Sequence, residues 1–131
     1  MKPWESEPDR WVGTCRGFEL VALRHSGLGH WCGYLCIPEG HPLHGRDLES
    51  DDLGPDIHGG WTWARSYLPN KKDASDGWWV GFDCAHSGDL QPGGRWRTKP
   101  TPFANNSTYK TLNFVKSELF RACAELEEAL G

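Results

Sequence analysis

Apolar residues near the C-terminus recur at the spacing of an α-helix. They are Leu112, Val115, Leu119, Ala122, Cys123, Leu126 and Leu130. Such a stripe covers one side of a helix and is typical of a helix that packs against other structure. Ser107 or Thr108 can cap the start, and Gly131 follows the end. The pattern therefore predicts one long amphipathic helix at the C-terminus.

Shorter apolar runs separated by turn residues precede this helix. The runs FELVALR at 18–24 and WCGYLCI at 31–37 flank the sequence Ser-Gly-Leu-Gly and predict a β-hairpin. His25 and His30, beside that turn, are expected to face solvent. Residues 78–84 are aromatic and β-branched and predict a strand. Residues 57–64 predict a further strand, which two glycines interrupt.

The length of 131 residues leaves room for one compact domain. Residues 1–10 are polar and contain two prolines, which predicts a loosely held N-terminal arm. Residues 11–131 are expected to form a single α+β domain. In this domain a small, mostly antiparallel β-sheet packs against the long C-terminal α-helix.

The net charge and the cysteine content limit which partners and which cellular environment are expected for this protein. Lysine and arginine number 14 against 18 acidic residues, a net charge of −4 that disfavours bulk nucleic-acid binding. No apolar run approaches the ~20 residues of a membrane span, and the N-terminus lacks the apolar stretch of a signal peptide. We therefore expect a soluble, intracellular protein without a membrane partner. Its 5 cysteines are expected to be reduced thiols, and Cys32 and Cys36 are expected to pack as buried small apolar residues.

Three stretches concentrate polar groups beside glycine and tryptophan, namely 41–45 (HPLHG), 56–61 (DIHGGW) and 81–89 (GFDCAHSGD). Histidine donates or accepts hydrogen bonds near neutral pH, and an indole face stacks on a nucleobase. Arg95 and Arg97 are candidate anion contacts. Together these residue types predict a pocket for a base-plus-phosphate ligand. The predicted ligand-binding residues are His41, His44, Asp56, His58, Trp61, Trp63, Trp79, Asp83, His86, Asp89 and Arg95.

An enzymatic alternative uses part of the same set. His58 and His86 would act as general base and acid of a phosphodiesterase, with Asp56 and Asp83 orienting the imidazoles. The spacings H-x-x-H and D-x-H match no standard metal motif, and no phosphate-binding or dinucleotide-binding glycine loop is present in the sequence. We therefore expect neither a metal nor a cofactor.

The three motifs, followed by Tyr109 ahead of the C-terminal helix, resemble a family of small bacteriophage proteins that has no assigned activity. The resemblance covers roughly residues 31–126. It implies a phage accessory protein in the host cytoplasm. Small phage proteins of this kind include inhibitors of antiviral signalling. This context favours sequestration of a nucleotide-derived immune signal, such as a cyclic nucleotide or an ADP-ribose derivative.

Two further expectations accompany this hypothesis. Ligands of this kind are often held at subunit interfaces, so a homo-oligomer is compatible with the sequence. A protein that blocks a host protein through a surface patch is the remaining alternative, and its sign would be exposed apolar residues on the helix.

Overall fold

The computed structural model describes residues 3–25, 28–48, 54, 57–66, 77–85 and 109–128. Its elements in chain order are α1 (Pro3–Ser6), β1 (Arg10–Cys15), β2 (Phe18–Arg24), β3 (Trp31–Ile37), β4 (Trp63–Arg65), β5 (Trp78–Asp83) and α2 (Leu112–Glu128). Within these ranges the strands form one antiparallel sheet in the order β1-β2-β3-β5-β4. Helix α2 packs against β2 and β3. The predicted α+β class, a small antiparallel sheet against one C-terminal helix, is confirmed.

The hairpin of β2 and β3 has the bounds that the sequence predicts. Val21 lies opposite Tyr34, and the His25 N–H closes the turn by donating to the His30 carbonyl at 2.7 Å. The expectation that both turn histidines face solvent is wrong for His30. Its side chain is buried because the ring of His25 stacks over it, with 4.9 Å between the ring centroids.

Strand β1 was not predicted from the sequence. It joins β2 through a tight turn in which Arg16 and Gly17 both have positive φ angles, 53° and 88°. Two such residues build the two-residue turn whose twist matches that of the flanking strands. Positions along β1 alternate between exposed and half-buried. The strand therefore has no need of the apolar run by which the sequence marks the other strands.

The predicted strand at 57–64 is wrong in extent. The observed strand β4 covers only Trp63–Arg65. Gly59 and Gly60 have φ angles of 71° and 86°, and the Gly60 N–H donates to the Ile57 carbonyl at 3.0 Å. The two glycines therefore turn the chain instead of extending it, and the strand begins only beyond this turn.

The face of the sheet that carries α2, here the inner face, forms the main hydrophobic core. Phe18, Leu20, Ala22, Leu35, Val80 and Phe82 contribute to it from the strands, and Val115, Leu119, Ala122, Cys123 and Leu126 from the helix. Gly33 lets the helix approach closely, because a Cβ atom there would lie 2.6 Å from Phe82 and 3.0 Å from Val115. The opposite or outer face carries a second cluster of Val21, Tyr34, Cys36 and Trp79. Successive residues of β3 therefore alternate between the two clusters, as expected of a strand.

Helix α2 begins at Leu112, and Thr111 caps it by accepting a hydrogen bond from the Phe114 N–H at 3.2 Å. The predicted caps Ser107 and Thr108, and Gly131 at the other end, lie outside the described residues. In the described part of the chain, no helix combines the length and apolar character needed to cross a bilayer.

The carboxylate of Glu7 connects three distant parts of the chain. It accepts hydrogen bonds from the Leu112 N–H at 2.6 Å, from the Trp31 indole at 3.1 Å and from the Tyr109 hydroxyl. The guanidinium of Arg24, whose side chain is only 1% exposed, lies 3.4 Å away. The division of the chain at residue 10 stays a prediction, while Glu7 itself is bound to the sheet and to the start of α2.

Replacing Glu7 with glutamine should destabilise the fold by about 2–3 kcal/mol, because an amide offers one acceptor oxygen in place of two, and Arg24 would keep the more distant carboxylate of Asp9, at 3.7 Å, as its ion partner. Urea unfolding of Glu7→Gln would measure this loss. Glu5→Gln is the matched control, because Glu5 lies in the same segment and is exposed. Equal stability of the two variants would contradict the role given to Glu7.

Candidate functional site

The predicted site residues lie in several different places. Asp56, His86, Asp89 and Arg95, together with Arg97, lie outside the described residues. Of the others, His41 and Trp61 are buried, His58 lies beside α2, and Trp63, Trp79 and Asp83 belong to the outer face of the sheet. His44 lies in the loop after β3.

His41 attaches the loop after β3 to the end of α2. Its Nδ1 accepts a hydrogen bond from the Leu43 N–H at 3.0 Å, and its Nε2 donates to the Leu126 carbonyl at 2.9 Å. A backbone N–H can donate only to an unprotonated ring nitrogen, so this arrangement corresponds to the neutral ring with its proton on Nε2. The hydrogen bond from His41 Nε2 satisfies the Leu126 carbonyl, one of the last carbonyls of the helix. Both ring nitrogens of His41 therefore have a hydrogen-bond partner.

The described part of the second motif, residues 57–61, contributes mainly to packing. The His58 N–H donates to Glu118 Oε1 at 2.8 Å, and its ring meets Phe114 edge-on at 5.1 Å. Trp61 is 5% exposed and contacts Phe82 within the main core. These contacts place the segment against α2, on the inner side of the sheet.

The outer face gathers aromatic side chains around Tyr34. A Cβ atom on Gly81 would lie 2.5 Å from the Tyr34 ring, so this glycine provides the space that the ring occupies. Trp63 meets Tyr34 edge-on, with 6.1 Å between centroids, and the Arg65 guanidinium lies 5.3 Å from the Trp63 ring. Trp79 is fully buried, so Trp63 is the one of the three predicted tryptophans whose ring is partly exposed.

A polar group on this face consists of Cys32, Tyr34 and Asp83, with Cys32 directly opposite Asp83 in the register. Burial raises the pKa of Cys32 to about 11, and the negative charge of Asp83 adds to the effect. Burial also raises the pKa of Tyr34 above its usual value. Thiol and phenol are therefore both protonated at neutral pH, which makes the thiol a poor nucleophile. Asp83 Oδ1 accepts a hydrogen bond from the Ala85 N–H at 3.2 Å.

A cleft of about 470 Å³, here the strand-end cleft, opens where β2 begins, β3 ends and β5 begins. It is lined by Gly17, Glu19, Cys36, Pro38, Glu39, His44 and Gly77. Neighbouring strands of an antiparallel sheet run in opposite directions, so these three strand ends lie at the same end of the sheet. Residues from distant parts of the sequence meet there. Among the predicted residues that the structure describes, His44 alone lines the cleft. The other lining residues share no sequence motif. The turn glycines beside the strands were the only sequence signal for this cleft.

The polar side chains that are described in the cleft lining are mainly hydrogen-bond acceptors. The His44 Nδ1–H donates to the Ile37 carbonyl at 2.8 Å, which leaves Nε2 as an acceptor in the neutral ring. Glu19 and Glu39 add two carboxylates. Burial, reinforced by the charge of Glu19, raises the pKa of the Cys36 thiol, so this group stays protonated. Among the residues that the structure describes, no group of three or more histidine, cysteine or acidic side chains is arranged to hold a metal ion.

Comparison with protein-family models, with curated proteins and with solved structures finds no match for this chain.

The raised thiol pKa values predict a loss of stability at alkaline pH. Between the usual thiol pKa of 9.0 and the value of about 11 for Cys32, the unfolded chain has lost a proton that the folded chain keeps. The unfolded state then binds fewer protons, so the free energy of unfolding decreases as pH rises. This stabilising contribution is complete below pH 9 and is lost as pH rises toward 11.

Urea unfolding of the wild type and of Cys32→Ser at these two pH values would test the prediction. The serine variant keeps a hydroxyl beside Tyr34 but removes the titrating thiol, so its stability should decrease less. Cys123, whose pKa is raised to about 12, remains in both proteins and provides a common background. Identical pH dependence of the two proteins would show that Cys32 makes no such contribution.

Proposed function

We propose that the protein binds a small nucleotide-derived molecule in the strand-end cleft and holds it without converting it. The observation that carries this proposal is the cleft itself. Its volume of about 470 Å³ lies within the roughly 300–1,000 Å³ that ligand pockets occupy. A few polar side chains converge on it from separate elements, as is typical of small-molecule sites.

The charge of the cleft determines which end of such a ligand fits. Glu19 and Glu39 repel a phosphate group, but a carboxylate accepts hydrogen bonds from the amino group of a nucleobase. In the neutral ring, His44 Nε2 adds a further acceptor. The base edge therefore enters the cleft, and the phosphates stay toward solvent. This arrangement differs from the sequence-based hypothesis, in which histidines and Arg95 contact the phosphates.

Binding is favoured over cleavage by the positions of the described candidates for catalysis. His58 lies on the side of α2, whereas Asp83 lies on the outer face of the sheet. These two residues therefore do not form one catalytic pair, and neither of them is among the lining residues of the strand-end cleft. The Cys36 thiol at the cleft is protonated and is a poor nucleophile.

The resemblance to bacteriophage proteins gives this binding activity a biological role. A phage protein that captured a nucleotide-derived immune signal in the host cytoplasm would inhibit antiviral signalling. Tight binding without turnover is sufficient for this role, because the signal only has to be removed from its receptor.

The test is to incubate the purified chain with cyclic dinucleotides, cyclic oligonucleotides, cyclic ADP-ribose isomers and the corresponding nucleosides. Chromatography of the filtrate and of the fraction released by heat then follows each compound. An intact ligand recovered only after heating supports the proposal. New products would support the phosphodiesterase alternative. A panel that remains entirely in the filtrate would contradict both.

Glu39→Gln tests the orientation of a retained ligand. Loss of a charged acceptor should weaken binding about tenfold, since a hydrogen bond to a charged group contributes ~1.5–3 kcal/mol. Titration calorimetry would measure the change, with Glu128→Gln as the control because Glu128 is also exposed but lies on α2. Tighter binding by Glu39→Gln would mean that the phosphate, and not the base, enters the cleft.

A further inference from the structure

Two of the free cysteines lie in contact where the first strand of the sheet meets α2. Cys15 ends β1, and Cys123 lies in the buried stripe of α2, 108 residues further along the chain. The Cys123 thiol donates to the Cys15 carbonyl at 2.8 Å, and the two side chains are within hydrogen-bond reach of each other. The fold therefore brings two thiols from opposite ends of the chain together.

The two thiols differ in their access to solvent. Cys15 is partly exposed, whereas Cys123 is fully buried. Burial and the contact with Cys15 raise the pKa of Cys123 to about 12, so this thiol keeps its proton at neutral pH. The guanidinium of Arg16 acts against this shift, because a positive charge favours a thiolate. An oxidant that arrives from solvent therefore meets Cys15 first, with Cys123 beside it.

We propose that Cys15 and Cys123 form a reversible disulfide when the protein meets hydrogen peroxide. The Cys15 sulfur attacks one peroxide oxygen, which gives a sulfenic acid and releases water. The Cys123 sulfur then attacks the Cys15 sulfur, and its proton leaves with the hydroxyl group as a second water. A thiol reductant reverses the reaction. No step requires a ligand in the strand-end cleft, so the disulfide is independent of the function proposed above.

The other three cysteines are not placed for such a bond in the folded chain. Cys32 and Cys36 lie on the outer face, away from α2. They are four residues apart on β3, which separates them by roughly 13 Å, about twice the Cα distance that a disulfide spans. Cys84 follows β5 beside the start of β3, and Cys15 lies at the other end of the sheet. Oxidation should therefore select Cys15 and Cys123.

The disulfide would fasten the turn between β1 and β2 to α2. At present an exposed ion pair between Arg16 and Glu127, at 3.1 Å, joins these elements at the surface. A covalent bond that closes so long a loop restricts the unfolded chain strongly. The oxidised protein should therefore melt about 10–20 °C above the reduced protein. Calorimetry of both forms would measure the difference in Tm, and added reductant should abolish it.

Peptide mapping identifies the bond directly. The purified full chain is treated with hydrogen peroxide, its remaining thiols are blocked in denaturant, and it is digested with trypsin without reductant. Trypsin cleaves after arginine, so Cys15 is released in peptide 11–16 and Cys123 in peptide 122–131. These peptides should appear joined, and reductant should separate them. Recovery of the two peptides apart, each with a blocked or over-oxidised thiol, would overturn the proposal.

Two serine variants separate this pair from the other thiols. Cys15→Ser should show neither the joined peptides nor the increase in Tm. Cys32→Ser is the matched control, because Cys32 is also a partly exposed strand residue but lies on the outer face, and it should behave as the wild type does. An equal increase in Tm for Cys15→Ser would contradict the proposal. Joined peptides that disappear on dilution of the protein would contradict it as well, because the bond would then connect two chains.

Discussion

The carboxylate of Glu7 is the contact on which the arrangement of helix and sheet depends. It accepts hydrogen bonds from the first turn of α2, from Trp31 on β3 and from Tyr109, and it faces the buried guanidinium of Arg24. A negative charge at a helix N-terminus is favourable in itself. The Glu7 carboxylate also lies beside the Arg24 guanidinium, a positive charge that would be costly to bury without a partner. One side chain therefore fixes where α2 starts and how the N-terminal segment crosses the sheet.

Once its start is fixed, α2 is held along its length by close contact and at its end by a second polar bond. Gly33 admits the helix to a distance that any side chain would prevent. His41 then donates to the Leu126 carbonyl near the other end of the helix. This role accounts for the burial of a histidine that the sequence suggested as a ligand contact. In the first motif, His41 thus attaches a loop to the helix, whereas His44 lines the strand-end cleft.

Periodicity explains which parts of the fold were predictable. The α2 stripe and the β2–β3 hairpin are local patterns, and both were identified from the sequence. Strand β1 was missed because its residues are only half-buried, and its pairing depends on a neighbour already in place. The Glu7 interactions were missed for a related reason. A carboxylate that meets Leu112 across most of the chain leaves no signal in the residues around it.

The candidate site was even harder to predict from the sequence, because its residues are also distant from one another along the chain. Histidine and tryptophan attracted functional hypotheses because of their chemistry, yet Trp61 and Trp79 are buried in two different clusters. The cleft instead takes Glu19 from the start of β2 and Glu39 from the loop after β3, residues that look ordinary in the sequence. Their negative charge has a chemical consequence. In the proposed binding mode, a cleft of acceptors selects a ligand by its hydrogen-bond donors, so a phosphate on that ligand would stay outside the cleft.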